Sequence, residues 1–119
     1  MNETEQIFKS WSEEFKNKIK EEGHDFLIKE YKEIISDLKK LEKDKDGYYI
    51  HDYDHRIEVR DALDVILKNQ FDFDLYKSVI EIDNELQLLI LKNPKNKNIN
   101  KEIFNENEWW NKYYPECVK

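Results

Sequence analysis

Glycine, proline and cysteine are nearly missing from this chain of 119 residues, which holds two, two and one of them. With glycine only at positions 23 and 47, no Gly-rich phosphate loop can be built. So few breakers favour long helices over short strands joined by turns. Cys117 stands alone, so no internal disulfide can form and no thiolate metal site is supported. A reducing compartment fits best. Long apolar runs are lacking too, and nothing approaches the roughly 18 residues of a membrane span. The first stretch, MNETEQIFKSWSEEF, is polar and acidic and does not read as a signal peptide. The expected location is the cytoplasm.

Charged residues make up 39% of the chain, enough to raise the prospect of disorder. Three Trp, seven Tyr and six Phe argue the other way, because they can fill a core. The length suits a single domain over residues 1–119 with one core. The net charge of −7 is unevenly spread. Residues 44–85 carry 12 acids and 5 bases, whereas the segments on either side balance to within two charges. Nine of those 12 acids are Asp, the less helix-favouring acid, which suits caps, loops or a surface of fixed negative charge.

Apolar spacing predicts four helices. The first runs from about Glu5 to Glu22, with Ile7, Phe8, Trp11, Phe15 and Ile19 on one stripe, Asn2 or Thr4 as cap and Gly23 as stop. The second, capped by Asp25, reaches about Glu42 on Phe26, Leu27, Tyr31, Ile34, Ile35, Leu38 and Leu41. The third is capped by Asp52 or Asp54 and reaches about Asn69, with Ile57 or Val59, then Leu63, Ile66 and Leu67 inward. The fourth, capped by Asp72 or Asp74, carries Leu75, Val79, Ile82, Leu86, Leu89 and Ile90 and ends near Lys92. The run Leu88 to Leu91 predicts an end buried on all sides. Residues 93–101 read as a polar loop. Trp109, Trp110, Tyr113 and Tyr114 form an aromatic tail expected to pack on the bundle. GYYIHDY also admits a strand, though it lacks a second strand to pair with. The expected fold is all-α: a four- to five-helix bundle of two antiparallel pairs plus an aromatic C-terminal segment.

Candidate chemistry is thin. His51 and His55 have the i, i+4 spacing of metal ligands on a helix, but the glutamate of H-E-x-x-H is absent and only His24 remains as a further histidine. No metal, cofactor or catalytic residue is expected. No nucleophile is credible: Ser10, Ser12, Ser36 and Ser78 all lie inside predicted helices, and Cys117 has no evident base beside it. Arg56 and Arg60 are the only arginines. Their expected role is structural, tying the third helix to Asp83 or Glu81 on the fourth.

One further pattern lies in the second half: Asp54-x-Arg56, then Arg60-Asp61-Ala62-Leu63, then Ile82-Asp83-x-x-Leu86, and a Trp109-Trp110 ending that stops at Pro115. Over about residues 50–115 the chain resembles the small acidic helical immunity proteins of contact-dependent growth inhibition and related polymorphic toxin systems. The resemblance implies a non-enzymatic protein that binds and neutralises a cognate toxin domain, often a nuclease. It supplies no catalytic or contact residues. The charge pattern supplies candidates instead: Asp44, Asp46, Asp52, Asp54, Asp72 and Asp74 to steer a basic partner, and Tyr48, Tyr49 and Tyr53 to anchor it. Nucleic acid is disfavoured as a direct ligand, since phosphates would be repelled. The other reading is a helical adaptor or regulatory subunit that binds a different protein.

Overall fold

Gly23 sets the first corner. The structure, a computed structural model, describes residues 13–44, 50–93, 101–115 and 118. Helix α1 spans Glu13–Glu22 and α2 spans His24–Asp44. Between them Gly23 has φ +67°, the left-handed region where a side chain is strained, and its N–H donates to the Ile19 carbonyl at 2.8 Å. The Gly23 carbonyl in turn accepts from Phe26 N–H. The second helix therefore starts two residues earlier than expected, and Asp25 lies in its first turn instead of capping it. Of the first helix's stripe, Ile7, Phe8 and Trp11 fall outside the described residues, and Ile19 packs against the core.

Helix α2 is the centre of the molecule and packs on α1, α4 and α5. Phe26, Leu27, Tyr31, Ile34, Ile35 and Leu38 are all buried, as their spacing predicts. Each such side chain contributes roughly 1.5–3 kcal/mol relative to exposure.

The expected third helix is two helices. Helix α3 spans Ile50–Arg56 and α4 spans Glu58–Asn69, joined through Ile57. Ile57 N–H donates to Tyr53 C=O and Arg60 N–H to Ile57 C=O, both at 2.8 Å. On one regular helix positions 57 and 59 would lie about 200° apart, so only one could face the core. The break turns both inward, and Ile57 and Val59 are each buried. Asp52 and Asp54 lie inside α3 and cap nothing. The described part of GYYIHDY is likewise helical, not a strand.

Asp72 caps α5, which spans Phe73–Leu91: its Oδ1 accepts from Leu75 N–H at 3.1 Å. The inner face holds Leu75, Val79, Ile82, Leu86, Leu89 and Ile90. Leu88 is exposed, so the helix end is not buried on all sides. After a 3-10 turn at Lys101–Asn105, the short helix α6 spans Trp109–Lys112 and lays Trp109 and Trp110 into the core. Among the described residues every regular element is helical, and the fold is all-α.

Directions follow from cross-links. Asp37 on α2 meets Arg56, while Tyr31, earlier on α2, meets Arg60 through Asp83. The α3–α4 arm therefore runs antiparallel to α2. The Asn69 end lies beside the start of α2, and the Ile50 end beside its finish.

Candidate protein interface

The expected binding residues do not form one patch. Asp46, Tyr48 and Tyr49 lie outside the described residues, and Asp44 is the last residue of α2. Asp52 and Asp54 are exposed on α3, whereas Asp72 and Asp74 are exposed at the start of α5. These two groups sit at opposite ends of α4, 12 residues or about 18 Å of helix apart. Tyr53 is no surface anchor. It is 0% exposed, because the Tyr53–Ile57 side of α3 faces the core, where its ring meets Tyr114 edge-on at 5.5 Å.

Several acids of the middle are committed to contacts within the fold, although only Asp83 is buried among those described. Asp83 is buried in α5 and receives Arg60 Nε at 2.9 Å, Arg60 Nη2 at 3.0 Å and Tyr31 Oη at 2.6 Å. The arginine fork thus ties α4 to α5 through one of the two acids expected of it, and Tyr31 joins them to α2. Arg56 instead reaches Asp37 on α2, at 2.8 Å. Burial pushes the Tyr31 hydroxyl well above its ordinary value, and the adjacent Asp83 adds to this. Burial alone would depress Arg60, but its hydrogen bonds to Asp83 hold it above the usual arginine value. Arg60 Nη1 is buried without a hydrogen-bond partner, 3.8 Å from Asp64, and the guanidinium carbon stacks 4.0 Å from the Trp110 ring. On the other side of that tryptophan, Asp61 accepts from Trp110 Nε1 at 2.7 Å and Asn111 Nδ2 at 2.9 Å. Burial raises the Asp61 carboxyl despite these two donors. Asp54 accepts from the Tyr114 hydroxyl, Asp64 pairs with Lys68, and Glu85 pairs with Lys39. Of these, the Asp83 and Asp61 contacts tie separate elements together, whereas Asp64–Lys68 lies within α4 and Glu85–Lys39 is exposed.

Asp74 and Glu81 are exposed on α5 with no partner among the described residues, and beside them lies an apolar surface. Phe71 is 63% exposed, Phe73 67%, Tyr76 43% and Ile80 36%. Positions 73, 76 and 80 follow helical spacing along the side of α5 that faces away from the core, and Phe71 reaches the Tyr76 ring at 5.5 Å between centroids. Asp74 and Glu81, seven residues apart, form an acidic column about 100° round the helix from Phe73, with the exposed Lys77 between the two. The signal was present in the sequence as QFDFD, where aromatics alternate with acids at a helix break; the pattern identifies the break and offers Asp72 or Asp74 as the cap, but leaves the direction of each ring open.

No family model, curated protein or solved structure matches this chain. Geometry is therefore the guide. Among the described residues, no group of three or more His, Cys, Asp or Glu side chains is placed to hold a metal ion. No described helix is long and apolar enough to cross a membrane. An open depression of 490 Å³ on α2, lined by Asp25, Ile28, Lys29, Lys32, Glu33 and Ser36, mixes both signs of charge along one helix face. The exposed aromatics at the turn between α4 and α5 are the feature that packing does not account for.

Proposed function

We propose that this chain is an immunity protein that binds a cognate basic toxin domain, a nuclease, and covers its active site. The observation that carries the reading is the exposed α4–α5 corner, where Phe71, Phe73 and Tyr76 stand among Asp72, Asp74 and Glu81. A nuclease presents a cationic cleft for phosphates. An acidic partner gains association rate by steering into it and needs no chemistry of its own. The resemblance of residues 50–115 to small acidic immunity proteins supports the same reading, as does the net charge of −7.

The test is co-expression with the product of the adjacent gene. If that product arrests growth alone and this chain restores growth, immunity stands. If the neighbouring product is harmless yet binds, the chain is an adaptor or regulatory subunit, the reading that an exposed apolar helix face also serves. Binding should weaken as salt rises, because exposed charges are screened beyond about 8–10 Å near physiological ionic strength.

A further inference from the structure

We infer that the α4–α5 corner is the contact surface itself, and that its occupant is a protein with an apolar cleft rimmed by lysine or arginine. The inference rests on the proposed binding function and names the residues that perform it. Phe71, Phe73, Tyr76 and Ile80 are large, exposed and contiguous. Leaving them in water is unfavourable, and large aromatic side chains of this kind serve as interface anchors because they bury much surface at low entropic cost.

Charge selects the occupant. Within residues 71–81 the exposed charged side chains are Asp72, Asp74 and Glu81 against Lys77. A second copy of the chain would meet this patch with the same patch, since twofold contacts are self-complementary. Three acids would then face three acids, in a chain already at −7. An anionic lipid surface or a nucleic acid is opposed by the same acids, even where aromatic rings could insert or stack. A cationic protein gains from both parts of the surface: its bases answer Asp74 and Glu81, while its apolar floor receives the rings. Asp72 is partly committed, with Oδ1 held by Leu75 N–H, so it fixes the corner while adding to the negative field.

The cap makes this surface a rigid one. It locks the first turn of α5, and the buried Leu75 and Val79 hold the other side of that turn in the core. Phe73, Tyr76 and Ile80 thus project from the helix, with Phe71 one residue before its cap, and little freedom is lost when they are covered.

The test uses two probes. The first is a synthetic peptide helix with leucine on one face and lysine on the other, titrated into isotope-labelled protein and followed by amide chemical shifts. Shifts centred on residues 70–81, weakened by salt and abolished in Phe71→Ser/Phe73→Ser, are expected. Shifts centred on the α2 face around Lys29 and Lys32, or on α3, would overturn the proposal. The second is the product of the adjacent gene. Phe71→Ser/Phe73→Ser should weaken its binding roughly tenfold or more. Asp74→Lys/Glu81→Lys should lower the association rate several-fold, with a smaller effect on dissociation. Asp52→Lys, at the far end of α4, should change neither. Sedimentation showing a dimer that Phe73→Ser dissolves would assign the surface to a second copy and refute the inference. The two readings fail separately. Growth rescue that survives the phenylalanine substitutions sinks the corner and leaves immunity standing. Peptide binding at the corner without any rescue sinks immunity and leaves the surface standing.

Discussion

The aromatic side chains of the C-terminal segment and those of the α4–α5 corner start from similar surroundings. Each group sits at the start of a helix and beside carboxylates, yet Trp109 and Trp110 are buried while Phe71 and Phe73 stand in solvent. Hydrophobicity does not separate the two groups, since Phe26 is buried on α2; the polar partners and the local backbone do. Trp110 carries an N–H that Asp61 accepts and a face that Arg60 covers, and Tyr114 carries a hydroxyl that Asp54 accepts. Each burial thereby satisfies a polar group on α3 or α4. Phe71 and Phe73 need no polar partner, so their exposure has another cause. In the corner each Phe is also chained to an Asp, and Asp72 must face Leu75 N–H to cap α5. That requirement fixes the local backbone. An apolar residue is buried only where the neighbours in sequence can stay hydrated or paired, and this corner keeps its acids outward and its rings with them.

Trp110→Ala should produce the largest effect on stability. It removes a buried ring and leaves both Asp61 and the guanidinium of Arg60 without their cover, for a loss of about 3–5 kcal/mol in denaturant unfolding. A loss below about 1 kcal/mol would show that the two aromatic groups differ little in energy, and the comparison would break. Asp72→Ala comes next. It deletes the α5 cap and should cost about 1 kcal/mol. It should also loosen the corner, so amide exchange in residues 73–76 should quicken more than elsewhere.

Asp61→Asn sharpens the C-terminal half. The amide oxygen can still accept from Trp110 and Asn111, so the geometry survives while the charge goes. Burial raises the Asp61 carboxyl, so the folded state binds its proton more readily than the unfolded state. The ionised form therefore opposes folding at neutral pH, and that opposition fades as pH falls through the raised pKa. Asp61→Asn should be close to the parent or slightly more stable at pH 7, and the parent should gain on it as acid is added. The opposite trend would mean that the two donors outweigh burial. The smallest effect belongs to the corner: Phe71→Ser and Phe73→Ser should leave stability within about 0.5 kcal/mol, as expected for surface positions. A larger loss would place these rings in the core and remove the ground for a docking surface.

These two halves were unequally legible in the sequence. The stripe of α2 was plain because six residues from Phe26 to Leu38 repeat on one face. Arg60 was legible for another reason: a chain with two arginines and many lysines uses arginine where a planar fork is wanted, and Asp83 stood among its expected partners. The break at Ile57 was hidden, because no glycine or proline marks it. With the break went the start of α3, the wrong caps at Asp52 and Asp54, and the inward turn of Tyr53. The corner was hidden differently. Composition gives aromatics to the core, and only the capping direction of Asp72 shows that these point away. The linear cluster of acids also concealed that its two ends are held apart by α4.

The C-terminal strap has a consequence in time. Trp110 reaches back 49 residues to Asp61, and Tyr114 reaches back 60 residues to Asp54. These contacts fasten α4 and α3 on either side of the Ile57 joint. At a synthesis rate of about 5–20 residues per second, the fastener is made roughly 2–12 s after the helices it clasps. During that interval the emerging chain holds α3 and α4 with one face of Arg60 still bare. A chaperone or a protease meeting the nascent protein therefore encounters a half-closed bundle, and Trp110 shuts it.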